Sequence, residues 1–313
     1  MTTQIKTGRI GRKKFNKTLF VFACLGALFL AVFAYAPMFG LLLAFKDGDF
    51  KISLTDAILR TDWVGLRNFS NFLKDRNFWD VMVNTLGLNV LMLFINFPAP
   101  ILFALLLNEV LSSKLKRTVQ TICIFPHFIS WIIFGGIIIA MTDMTTGIFN
   151  PILYALGLSS PDDPVNLQTA EFFWAEMIIA SLVKGVGWGS IVYLAAIAGI
   201  DREMYEAAIL DGANRFQKAI HMTLPSIAPT ITVFFLLNVS NLLDNSFEQF
   251  YSLQNAVNLE KSEVLSTYLY KTGLQERRYS YSTAMSLFNS LIAVVLLVTG
   301  NTLSKKLTDR GLF

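Results

Sequence analysis

The chain has 313 residues, of which 54% are hydrophobic and only 15% charged, with a mean hydropathy of +0.52. A soluble core has no use for that much apolar surface, so an ordinary soluble enzyme or binding module is excluded. The net charge of +4 comes largely from short basic flanks beside apolar runs, which suits topology and lipid-headgroup anchoring, and no basic stripe with interleaved aromatics points to nucleic acid.

Apolar stretches of about 20 residues, the length that crosses a bilayer, occur at 19–45, 86–107, 118–141, 172–200, 227–243 and 284–303. The expected fold is an all-α integral membrane protein of six spans. It reads as a basic N-terminus over 1–18, one transmembrane domain over 19–303 with a polar loop at 201–225, and a short C-terminus over 304–313. Pro37, Pro98 and Pro100 fall inside or near spans, where they kink helices and free backbone carbonyls.

Lys6, Arg9, Arg12, Lys13, Lys14 and Lys17 precede the first span with no acid among them, which predicts a cytoplasmic N-terminus. Ala34-Tyr35-Ala36 mimics a signal-peptide cleavage site, but Pro37 follows it and apolar character continues to Phe45, so the first span is expected to be retained. Alternation then puts Lys114, Lys116 and Arg117 inside, the Lys- and Arg-free segment 142–171 outside, and both the 201–225 loop and Lys305, Lys306 and Arg310 inside. The 46–80 loop, with six basic residues, is the segment that runs against the rule.

Before the second span, Phe69, Phe72, Leu73, Trp79 and Val83 recur at helical spacing with charges between them, predicting an amphipathic helix at the outer interface. Cys24 and Cys123 fall in or beside apolar spans, as buried thiols would, and offer no disulfide or metal framework. His127, after Pro126, reads as a hydrogen-bonded helix-start histidine, and no His or Cys spacing suits a metal. If its span begins at Phe172, Lys184 falls near mid-membrane and is a functional-site candidate; a span nearer Ala180–Ile200, the expected reading, puts it close to the outer boundary, to which its ammonium snorkels. Gly185, Gly187 and Gly189 beside Trp188 suit close helix packing. No Gly-x-x-x-x-Gly-Lys-Ser/Thr run occurs, so ATP phosphates are not cradled by that route.

The loop at 201–225 is a polar island between two apolar spans. Asp201 suits an N-cap with Glu203 in the first turn, and Gly212 a left-handed stop, after which a second short helix is expected from about Arg215 toward Met222 at a new angle. Ala207, Ala208, Gly212 and Ala213 let another backbone approach closely, while Glu206 and Asp211 offer carboxylates to its cations. The result is a knob. Beyond it, Asn238, Asn241, Asn245 and Glu248 are spaced by three, four and three, one polar stripe on a continuous helix with Asp244 beside it. Such a stripe serves either interhelical hydrogen bonding or sugar hydroxyls, with Phe247, Phe250 and Tyr251 stacking on apolar sugar faces; Asn89 and Asn96, seven apart on the second span, line the same path.

Glu206-Ala207-Ala208, Gly212 and Leu224-Pro225 resemble the "EAA" loop of membrane subunits of binding-protein-dependent ABC importers, which inserts into a cleft of a cytoplasmic ATPase. Met222 stands where that family usually has Ile, a volume-conserving swap. Gly65-Leu66-x-Asn68-Phe69, Phe78-Trp79 and Asn84-Thr85 resemble the entry motif of sugar-type ABC permeases. Trp188, Tyr193-Leu194-Ala195-Ala196, Phe247-Glu248-Gln249, the tyrosines from Thr267 to Tyr281 and the C-terminal Arg310-Gly311-Leu312-Phe313 are similar to the branch for polysaccharide and oligosaccharide uptake.

The resemblance implies the type I importer permease fold of the maltose-permease kind, with no catalysis and no cofactor of its own. It implies a second, different permease subunit, two ATPase subunits that bind ATP and Mg, an extracytoplasmic solute-binding protein and a carbohydrate cargo. The coupling residues implied are Glu206, Ala207, Ala208, Asp211, Gly212, Ala213, Leu224 and Pro225. The competing class, an energy-independent transporter or channel for a polar solute, calls for coupling acids at span centres or inverted repeats, and neither is evident.

Overall fold

A computed structural model describes residues 17–51, 53–243 and 246–308. Lys6, Arg9, Arg12, Lys13 and Lys14, Asp244 and Asn245, and Arg310 to Phe313 lie outside these residues. Among the described residues the chain is helical, with two isolated β-bridges.

Helix α1, Lys17–Phe45, opens as an α-helix, widens to a π turn over Ala31–Tyr35 and tightens to a 3-10 helix from Ala36. Pro37 has no N–H for the carbonyl four residues back, and the change of pitch absorbs that mismatch. No residue of α1 before Leu43 is buried, and Cys24 stands exposed on it instead of buried.

The expected single amphipathic helix over 64–85 is two elements. Helix α2 is Leu54–Leu59, α3 is Arg67–Lys74, and α4 runs Arg76–Asn108 with an interruption at Phe97, ahead of Pro98 and Pro100. Asp75 breaks the chain between α3 and α4, its carboxylate accepting from the Asn77 N–H at 3.0 Å and the Tyr281 hydroxyl at 2.7 Å. The apolar face of α3 packs on protein: Phe72 is fully buried against Phe78, Tyr281 and Phe288. The second span therefore starts ten residues earlier than hydropathy suggests, because Asn84 and Thr85 are buried polar residues with partners. The Asn84 amide donates to the Glu260 and Glu263 carbonyls, and the Thr85 hydroxyl accepts from the Leu265 N–H.

The expected third span is broken. Helix α5, Ser113–Phe128, and helix α6, Trp131–Thr142, meet at 101°. Ser130 restarts the chain as N-cap, its Oγ accepting from the Ile133 N–H. After α7, Phe149–Ala155, come α8, Ala170–Ala198, and α9, Arg202–Leu210. Helix α10 runs Arg215–Ser240. The short helix expected at Arg215 does begin there but does not stop near Met222: it passes through a π turn at Ala219–Thr223, just ahead of Pro225, and becomes the fifth span with Pro229 inside it. Helices α11, Phe247–Tyr251, α12, Leu265–Tyr270, and α13, Tyr279–Thr308, complete the chain. Among the described residues five helices (α1, α4, α8, α10 and α13) are long and apolar enough to cross a bilayer, and the bent α5–α6 pair makes a sixth if counted as one span.

Helix α8 is the centre of the bundle, packed against α4, α5 and α10. Two glycines set its closest approaches. A Cβ on Gly187 would lie 2.2 Å from the Cys123 carbonyl oxygen, and one on Gly87 of α4 would lie 2.6 Å from the Trp174 ring. Gly185 meets nothing within 4 Å, so only part of the expected glycine surface is used for packing. At the end away from the 201–225 loop, Gly48 and Asp49 seat the start of α13: the Gly48 N–H donates to Ser280 Oγ, and Asp49 Oδ1 accepts from the Ser280 and Tyr281 N–H groups.

Candidate functional site

A cavity of about 460 Å³ opens among α4, α8, α10 and α11, a volume in the range of small-molecule sites. Asn89, Asn96, Asn238 and Asn241 all line it, so residues from two distant stretches of sequence meet there. They do not form the expected continuous stripe. Helix α10 ends at Ser240, Asn241 is its C-cap, and the chain turns before α11. Asn245 lies outside the described residues, and Glu248 is exposed on α11, where Gln249 rather than Glu248 reaches the cavity. Phe250 is buried in the core, whereas Phe247 and Tyr251 stack at 4.9 Å with Tyr270 against both.

The amides are held by the protein through their N–H side. The Asn89 amide donates to the Leu242 carbonyl at 2.6 Å, and Asn238 to the Phe234 carbonyl at 2.8 Å. Asn96 donates to Ser181 Oγ and to the Ile178 carbonyl, while Asn96 Oδ1 is buried with no partner among the described residues. Two cavity residues that the sequence did not single out as lining, Trp188 and Tyr193, bring aromatic wall to the same space. Both lie on the turns of α8 that follow Lys184.

Lys184 is not near an end of its helix. It lies midway along α8, 7% exposed, with its ammonium donating to the carbonyls of Pro126, His127 and Ile129. They lie at the C-terminal end of α5, where a cation also suits the negative helix end, and the Pro126 carbonyl accepts from the Ile129 N–H as well. The ammonium faces the Trp131 and Phe134 rings at 5.2 and 5.6 Å. The His127 imidazole, expected as a hydrogen-bonding group, instead lies flat on Trp188 with centroids 4.4 Å apart. One lysine thus holds the break in the third span, and the residue at the break backs the cavity wall.

At one end of the bundle the 201–225 loop projects. Asp201 caps α9 by accepting from the Glu203 N–H at 3.0 Å, and Gly212 takes φ +79°, a left-handed conformation that suits glycine. Asn214 and Gln217 form a reciprocal capping box that starts α10. Glu206, Ala207, Asp211 and Gly212 are exposed, with Ala208 and Ala213 half-buried. The knob also has a concave face of about 320 Å³, lined by Ala208, Asp211, Gly212 and Ala213 with Gln217 and His221. Leu224 packs in the core beneath, with Ile101, Tyr193 and Ile227, so it roots the loop; Pro225 is exposed at the base. Leu210 and Phe216, 88% and 73% exposed, are apolar side chains standing on the knob that the sequence reading passed over. Their signal was present: large apolar residues on a polar loop outside any span.

Residues 96–310 match the model of a family described as binding-protein-dependent transport system inner membrane component. The chain is 38% identical over 300 residues to Protein LplB of Bacillus subtilis (strain 168), covering 96% of this chain and 92% of that protein. It is 36% identical to the polygalacturonan/rhamnogalacturonan transport system permease protein YteP of the same organism, over 95% and 91% of the two chains. Among solved structures, a bacterial ABC transporter involved in the import of the acidic polysaccharide alginate superposes with a TM-score of 0.84 at 36% identity, over 93% of this chain and 96% of that one.

Proposed function

This chain belongs to the family of binding-protein-dependent transport system inner membrane components, and from that premise we propose that its asparagine-lined cavity is a carbohydrate path and its 201–225 loop the point at which ATP hydrolysis is coupled to it. The protein is a multi-pass permease subunit of a bacterial sugar ABC importer in the inner membrane, and it is not itself an enzyme. It works with ATPase subunits, a second permease and a solute-binding protein. The second permease is a different chain, ATP and Mg are bound by the ATPases, and both termini face the cytoplasm together with the knob.

The observation that carries this reading is the continuity of α10. A helix of 26 residues spans about 39 Å, and α10 begins in the knob at Arg215 and ends with Asn238 in the cavity. A push on the knob is therefore delivered along one continuous helix to the residues that face cargo. Glu206, Ala207, Ala208, Asp211, Gly212 and Ala213 meet the ATPase, with Leu224 and Pro225 transmitting the movement into the span. ATP and the binding protein shift the equilibrium between inward- and outward-facing states to the extent that they bind the two states differently. Asn89, Asn96, Asn238 and Asn241 hydrogen-bond the sugar as it passes, and Trp188 offers a face to its apolar side. Glu248, exposed on α11, belongs to the outer approach to the path.

The test is reconstitution of both permeases, the ATPases and the binding protein in proteoliposomes. Oligosaccharide uptake that requires ATP and stimulates its hydrolysis is expected. Sugar uptake that persists without ATPase subunits would instead establish an energy-independent carrier.

A further inference from the structure

We propose that this chain's side of the path selects neutral, hydroxyl-rich saccharides over uronates, a narrowing that rests on the carbohydrate reading above. The cavity wall carries no charged side chain among the described residues. The one lysine or arginine of α8, Lys184, lies a single turn before Trp188 but is spent on three carbonyls of the α5 end. Among the described residues no ammonium or guanidinium therefore meets a carboxylate there.

The hydrogen-bond accounting of the amides points the same way. Asn89, Asn96, Asn238 and Gln249 each commit the N–H side to the protein, to Leu242, Ile178 and Ser181, Phe234 and the Met177 sulfur. Among the described residues the carbonyl oxygens of these four side chains have no donor, and that of Asn96 is buried. An amide oxygen is an acceptor only, so what it lacks is an O–H or N–H. A sugar hydroxyl supplies one. A uronate carboxylate supplies none: it would bring lone pairs against lone pairs and lose water without a cation in return, the costliest kind of burial. The remaining donors, the Trp188 indole N–H, the Tyr193 hydroxyl and the Asn241 amide, are neutral and suit the acceptor side of the same hydroxyls. This wall thus differs in its demand from the acidic cargo named for the alginate transporter.

The experiment uses the complete reconstituted complex with its binding protein and compares neutral tetrasaccharides (maltotetraose, xylotetraose and arabinotetraose) with tetragalacturonate and an alginate tetrasaccharide. At least one neutral probe should drive uptake about tenfold faster than either uronate, the scale that a hydrogen-bonding site reaches with ease. Asn238→Lys adds a cation to the wall at a residue whose own bond is within its helix, and it should raise the ratio of uronate to neutral uptake severalfold. Uronate uptake equal to neutral uptake in the parent, or a ratio unmoved by Asn238→Lys in a complex that assembles and transports, overturns the proposal while the carbohydrate reading stands. No uptake of any saccharide, with transport of a non-saccharide solute, overturns both.

Discussion

The Lys184 ammonium and the Pro126 carbonyl oxygen lie 3.0 Å apart, joining the middle of α8 to the last turn of α5 across 58 residues of sequence. A charge is retained at that depth because the break between α5 and α6 leaves carbonyls that no helix continues to satisfy. Lys184→Met removes the donors and leaves the acceptors buried, at about 1–3 kcal/mol. A lower melting temperature of the purified complex and reduced uptake are expected, with Lys184→Arg recovering most of both. Equal stability of the Met variant and wild type would show that water satisfies the break.

Gly187 and Gly185 form an internal control on the same helix. Gly187→Ala puts a methyl within 2.2 Å of the Cys123 backbone and forces α5 away, whereas Gly185→Ala meets nothing within 4 Å. Overpacking of this kind costs about 1–3 kcal/mol, so assembly yield should fall for the first and hold for the second.

For the knob, Glu206→Lys reverses an exposed charge, and Gly212→Val places a β-branched residue at φ +79°. Both variants should insert normally and lose ATP-dependent uptake. Leu210→Asp, at a side chain 88% exposed, should weaken co-purification of the ATPase. Unchanged ATPase recovery would remove Leu210 from the contact.

Asp49 lies outside the spans, and burial holds its carboxyl above the ordinary aspartate value despite backbone N–H donors from Tyr281 and Ser280. A raised folded value means that the native state binds more protons than the unfolded one between about pH 3.8 and that raised value, so across this window Asp49 lowers stability as pH rises. Asp49→Asn keeps an oxygen for the two N–H groups without the charge. It should flatten this part of the pH dependence of melting temperature, and an identical slope in both proteins would remove Asp49 from it.

The start and turn of the 201–225 loop were legible in the sequence because their determinants are local: Asp201 caps two residues on, and Gly212 stops a helix that ends beside it. The cavity was half legible. Periodicity found Asn89, Asn96, Asn238 and Asn241, but carried the stripe straight through Asn241, where the chain turns. The break after Phe128 and the role of Lys184 were hidden for one reason. Hydropathy sums apolar character along the chain and is blind to direction, so a sharp bend between two apolar halves reads as one span until the residue that closes it, far off in sequence, is seen beside it.

Helix α1 buries nothing before Leu43, and this has a consequence for biosynthesis. Apart from its last turns, Ala36–Phe45, which bury Leu43 and Ala44 and pack on α13, its residence in the bilayer rests on its own side chains. It can take up its final place while the ribosome is still translating the bundle, leaving the newborn chain tethered at one fixed point as the remaining spans find one another.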